Sequence, residues 1–200
     1  MEVMNQNEKN KREKSKEMTQ EKNLLDAFIE NLKNLSRGER AVLKRAAGFE
    51  IAESRGGMDV FYRILPRALT NSRNEEIYFL VATLHGLNKH ALTGNFGLTL
   101  RKVKESTKSS SIDKRMSALL DSNFDLLDGS KPGGGELSYR LRQCVRLAAS
   151  KDIGVNWRQL LQDLLSWTHP ARFVQKQWAR SYFTKQVEKE EESRNEIESF

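Results

Sequence analysis

A single cysteine, Cys144, stands among 200 residues, so no intrachain disulfide can form and a reducing cytoplasm is the expected setting. Only three prolines occur, Pro66, Pro132 and Pro170, which leaves long stretches without a helix breaker. No apolar run approaches the roughly 20 residues that span a bilayer, so no membrane partner is expected. The first twenty residues hold no apolar stretch, which excludes a secretory signal there. Alternating apolar and polar runs bounded by turns are absent, and this argues against a sheet.

Catalytic patterns are missing too. His85, His90 and His169 have no cysteine or carboxylate partner at ligand spacing, so no metal site is expected. His85 lies in an apolar stretch and reads as a core histidine, and His169 as a turn residue before Pro170. "GSKPGGGE" has neither the Gly-Lys-Ser/Thr ending nor the preceding strand of a phosphate loop. Ser109–Ser111 has no nearby histidine or oxyanion-type glycine turn. Cys144 falls on an apolar face, and Glu75 and Glu76 suit the first turn of a helix better than acid–base chemistry. No catalytic residue, metal or cofactor is expected, and the chain does not read as an enzyme.

What the chain has is positive charge. Thirty-four lysines and arginines outnumber 27 acids, for a net charge of +7, and the sequence pI is about 9.5. Such an excess bears on partners and points first to polyanions. It is unevenly spread. Residues 99–184 hold fifteen bases and eight acids, whereas residues 185–200 hold three bases and six acids.

Helical periodicity recurs along the chain, giving an all-α fold of two small helical domains, the C-terminal one a bundle. Residues 1–22 are polar and expected to be disordered or frayed. An N-terminal domain is placed at 23–98. In it "SRGERAVLKRAAG" opens with a capping box, Ser36 with Glu39, and closes at Gly48. "IYFLVATLHGL" is apolar nearly all round and belongs at its centre. The Ser- and Lys-rich stretch at 99–110, which follows Gly94 and Gly97, is expected to be an exposed linker. The C-terminal bundle occupies 111–187, with Asn156 capping one helix and Pro170 starting the last. Residues 188–200 form an acidic tail.

Basic stripes lie on three of these helices. Arg37, Arg40 and Lys44 form one, with Arg45 to the side. Arg142 and Arg146 lie opposite the face that carries Leu137, Leu141, Cys144, Val145 and Ala148. Arg172, Lys176 and Arg180 share a face next to Val174, Trp178 and Tyr182, rising about 12 Å, enough to follow two or three phosphates of a single strand. Arg101, Lys102 and Arg115 complete the candidate set. A solvated face explains any one stripe; repetition without acidic partners favours nucleic-acid contact. Trp157, Trp167 and Trp178 can stack on bases, but each lies on a leucine- or valine-rich face and reads as core.

"LSRGERAVLKRAAG", "FLVATLHGL", "ELSYRLRQCVRLAASKDIGVNWRQLLQDLLSW" and "VQKQWARSYF" together resemble the CasB family, the small subunit of the type I-E CRISPR surveillance complex Cascade. The resemblance covers about residues 25–184 in order. "DGSKPGGG" is longer than the family's link there, and "KRM" at 114–116 stands where the family usually has an aromatic after the arginine. The resemblance implies an all-helical, two-domain, non-catalytic protein. It implies two copies head to tail beside the crRNA-bearing backbone subunits and the large subunit, with basic surfaces supporting the target and the displaced non-target DNA strands. The alternative is a free-standing helical protein that binds nucleic acid without a guide RNA.

Overall fold

The computed structural model describes residues 19–123 and 135–184. The expectations for residues 1–18, for the glycine-rich link at 128–134 and for the tail at 185–200 lie outside the described residues. Among the described residues there are nine α-helices and no strand; two isolated bridges, Ala47–Phe49 and Ala91–Val155, are the only β-type pairings.

Residues 19–33 form α1, which buries Leu25, Phe28, Ile29 and Leu32 at helical spacing. Helix α2 (Arg37–Ala46) begins with the expected capping box: Ser36 Oγ accepts from Glu39 N, and the Glu39 carboxylate accepts from Ser36 N. It stops at Ala47, and Gly48 follows with φ 108°, a left-handed conformation that glycine adopts without strain. Helix α3 (Arg55–Ile64) ends before Leu65–Pro66, and a 3₁₀ turn, Arg67–Leu69, follows. Helix α4 (Glu75–Leu87) is buried over most of its circumference, as its composition requires, and packs against α2.

The second half contains α5 (Phe96–Thr107), α6 (Ser111–Leu120), α7 (Glu136–Ala149), α8 (Trp157–Leu165) and α9 (Phe173–Phe183). Asn156 caps α8 by accepting from Gln159 N. Pro170 does not start α9: the helix begins three residues later, and Arg172, with φ 49°, turns the chain into it.

The stretch 99–110 is not an exposed linker. Most of it is α5, which packs on α9, α6 and α7 and buries Phe96, Gly97, Thr99, Leu100 and Val103. The reason lies at Gly97. A β-carbon there would overlap the Trp178 carbonyl, so this glycine lets two helices meet at their backbones instead of breaking one. Only Lys108, in a left-handed conformation, and the serines after it form a short link to α6.

A single cluster of buried side chains runs from Leu25 to Tyr182. Helix α4 carries it across the halves by packing on α7 and α8. The halves are also tied by Asn88 Nδ2, which donates to Ile153 O (2.9 Å), by Val155 N, which donates to His90 O (3.0 Å), and by the Arg158–Asp26 ion pair. Trp157, Trp167 and Trp178 are all buried, as expected from their leucine- and valine-rich faces.

Candidate nucleic-acid interface

The cationic side chains fall into three environments. Arg40 and Arg142 are half-buried and engaged with backbone. Arg101 and Arg172 are tied to chain segments at the two ends of α9. Arg37, Lys44, Arg45, Lys102, Arg115, Arg146, Lys176 and Arg180 are exposed and, among the described residues, carry no ion pair.

Arg40 folds back so that its Nη2 donates to Leu35 O (3.2 Å), while its Nε is buried without a partner. It lies close enough to His85 to disfavour a charge there. Of the α2 stripe, then, Arg37, Lys44 and Arg45 face solvent and Arg40 does not fully do so.

The helical pattern puts Arg142 opposite the apolar face of α7, but it is not a free surface cation. Its guanidinium lies over Gly48, where a β-carbon would overlap Nη1, and Nη1 reaches Ala47 O at 3.5 Å. The Tyr139 ring sits 5.6 Å from the guanidinium carbon. Burial, with Arg146 beside it, holds its pKa below the ordinary arginine value. Arg146, one turn on, is exposed to solvent. This packing places the basic side of α7 against the C-terminal end of α2, two residues beyond Arg45.

Helix α9 presents the cleanest cationic face. It buries Val174, Gln175, Trp178 and Tyr182 and contains no acidic residue. Trp178 Nε1 donates to the buried carboxylate of Asp163, which also accepts from Gln159 Nε2 at 2.8 Å. Burial raises the Asp163 pKa, and these two hydrogen bonds oppose that rise. With the helix pinned in this register, Lys176 and Arg180 point away from Trp178, opposite the buried face rather than beside it. Arg172 does not continue their stripe. It precedes the helix, and its Nη2 donates to Leu120 O at 2.7 Å. At the other end Arg101 Nη1 donates to Thr184 O (2.8 Å) while its Nε pairs with Glu105. Arg101 and Arg172 thus hold the two ends of α9.

Five aromatics are exposed among the described residues, Phe49, Tyr62, Tyr139, Phe173 and Phe183, and three of them lie beside candidate cations, a placement that escapes the sequence pattern: Tyr139 (52% exposed) beside Arg142, and Phe173 (37%) and Phe183 (53%) at the ends of α9. On α9 a signal is available, because Phe173 lies three residues before Lys176 and Phe183 three after Arg180. Cys144 is buried, and burial pushes its thiol up to about 11, which leaves it inert packing. Among the described residues no group of three or more histidine, cysteine, aspartate or glutamate side chains could hold a metal ion. No helix among them is long and apolar enough to cross a membrane.

The family model for CRISPR-associated protein Cse2 matches residues 39–183, more than half of the chain. The chain is 29% identical over 181 residues to CRISPR-associated protein Cse2 of Thermus thermophilus, covering 87% of this chain and 98% of that protein. Among solved structures, a Cse2-family protein from Thermus thermophilus superposes with a TM-score of 0.65 at 28% identity, covering 80% of this chain and 98% of that one. CasB of M. ruber superposes with a TM-score of 0.59 at 25% identity, covering 88% and 98%. A chain of a CRISPR RNA-guided surveillance complex shares the fold, with a TM-score of 0.62 at 21% identity over 80% of this chain and 92% of that one. With the match spanning nearly all of α2 and continuing through α9, the chain belongs to the Cse2 family of CRISPR-associated proteins.

Proposed function

We propose that this chain is a non-catalytic small subunit of an RNA-guided Cascade complex that uses its basic surfaces to hold DNA strands in an open R-loop. The observation that carries the reading is the set of exposed cations without ion pairs on α2, α7 and α9, above all Lys176 and Arg180. Family membership and the shared fold with a chain of a CRISPR RNA-guided surveillance complex support it.

The physical logic is one of small differences. Exchanging a DNA duplex for an RNA–DNA hybrid is nearly balanced in free energy, so modest contacts to strand backbones tip it. Those contacts need charge and position but no base-edge readout. In this reading the cations of α2 and α7 and those of α9 receive phosphates of the target and the displaced non-target strands. The partners are the crRNA-bearing backbone subunits, the large subunit and a second copy of this chain, in the cytoplasm.

The test has two parts. Purification of the tagged chain from its own cell should bring down a guide RNA with several distinct subunits; recovery of the chain alone would favour a free-standing nucleic-acid-binding protein. In the assembled complex, Lys176→Ala/Arg180→Ala should leave guide content unchanged and shorten R-loop lifetime. Unchanged lifetime would remove α9 from the DNA path.

A further inference from the structure

The outward side of α9 carries more than charge. Taking Trp178 as the centre of the buried side and 100° per residue, Phe173, Lys176, Arg180 and Phe183 all fall within an arc of about 80° on the opposite side. All four are exposed. The two rings stand at the ends of the helix, about 15 Å apart along its axis at 1.5 Å per residue, with the two cations between them. Neither ring is buried in the core. Phe173 meets His169 edge-on at 5.0 Å, and Phe183 meets Tyr182 edge-on at 4.7 Å, so each is steadied by a neighbour. The helix supplies no carboxylate to compete for the cations.

Exposed phenylalanines on a polar, cationic surface cost hydration and do little for folding. Rings and cations along one line fit one ligand well. A single strand of nucleic acid offers phosphates to the cations and, because its bases are unpaired, faces on which rings can stack. A duplex offers phosphates but keeps its bases stacked inside. We propose that the outward face of α9 is a track for unpaired nucleic acid, with Phe173 and Phe183 stacking bases and Lys176 and Arg180 holding the phosphates between them. This deepens the reading given above and rests on it. It makes α9 selective for unwound strand, whereas charge alone would accept duplex equally.

The test uses the full chain and three fluorescent probes, each about 20 units long: an oligothymidylate, an abasic strand and a duplex. The parent should bind oligothymidylate more tightly than either of the others. Phe173→Leu/Phe183→Leu keeps the apolar contacts to His169 and Tyr182 but removes the rings. It should weaken oligothymidylate binding by roughly fivefold or more per ring, without changing the salt slope or the abasic-strand affinity. Phe173→Tyr/Phe183→Tyr should restore binding. Equal affinity of parent and leucine variant for oligothymidylate overturns the track, as does an equal loss on the abasic strand. A parent that binds none of the three probes overturns the underlying reading instead, so the two failures are distinguishable.

Discussion

At His85 the chain buries an imidazole among apolar side chains of α4, edge-on to Trp157 at 5.3 Å, with Nδ1 unpartnered. Burial, and to a lesser degree Arg40, lowers its pKa from 6.5 to about 4. The unfolded chain therefore binds this proton between pH 6.5 and 4 while the folded chain does not. His85 thus makes stability fall as pH drops through that window, by about 2–3 kcal/mol near pH 4. His85→Leu should remove this part of the pH dependence, measured by urea unfolding of parent and variant at about pH 7.5, 6, 5 and 4. A pH-independent difference between the two proteins would mean that the imidazole is not held neutral. Trp178 is the larger structural residue. Trp178→Ala removes a fully buried ring and its hydrogen bond to Asp163, and should cost about 3–5 kcal/mol. Arg142 and Arg146 should separate in the same assay. Arg146→Ala should change stability by less than about 0.5 kcal/mol. Arg142→Ala should cost more, about 1–2 kcal/mol, because the Arg142 stem and guanidinium pack over Gly48 and against Tyr139. No local pattern reveals this difference between two arginines four residues apart. The partner that distinguishes them, the Ala47–Gly48 turn, is 95 residues away in the chain.

Local rules read well at the level of the element. The capping box at Ser36 and Glu39, the Gly48 stop, the Asn156 cap and the apolar stripe of α7 are all legible in the sequence, because each depends only on neighbours within a turn or two. Helix α5 is not. Gly94, Gly97 and the Ser/Lys-rich end of the helix resemble a linker, but Phe96, Leu100 and Val103 recur at helical spacing and fill the space beside α9. What Gly97 does there depends on Trp178, a contact no local pattern contains. The consequence is testable with trypsin. Cleavage after Arg101, Lys102 and Lys104 should be as slow as global unfolding, because α5 is packed on three helices. Rapid cutting there under native conditions would show that α5 opens locally. On α9 the helical spacing correctly makes Lys176 and Arg180 solvent-facing cations, but it also puts Arg172 in their stripe. Arg172 leaves the helix instead, since the left-handed turn before Phe173 falls on a residue that is neither proline nor glycine and so announces nothing.

Among the described residues of the whole molecule, buried contacts spread from α1 to α9 in one cluster, while the candidate cations without ion pairs lie outside it, on α2, α5, α6, α7 and α9. That separation lets charge be removed without loss of fold. The full chain should bind single-stranded DNA and RNA with little sequence preference, since its exposed cations meet phosphates and no base-reading motif accompanies them. The direct measurement is the affinity for an unstructured single strand from about 50 to 200 mM salt, for the parent and for Lys176→Ala/Arg180→Ala. Steep salt dependence is expected of the parent, and a slope shallower by about 0.7 for each lost phosphate contact is expected of the variant, with the melting temperature unchanged. Equal slopes in the two proteins, or salt-independent binding by the parent, would contradict the assignment of this surface to the nucleic-acid backbone.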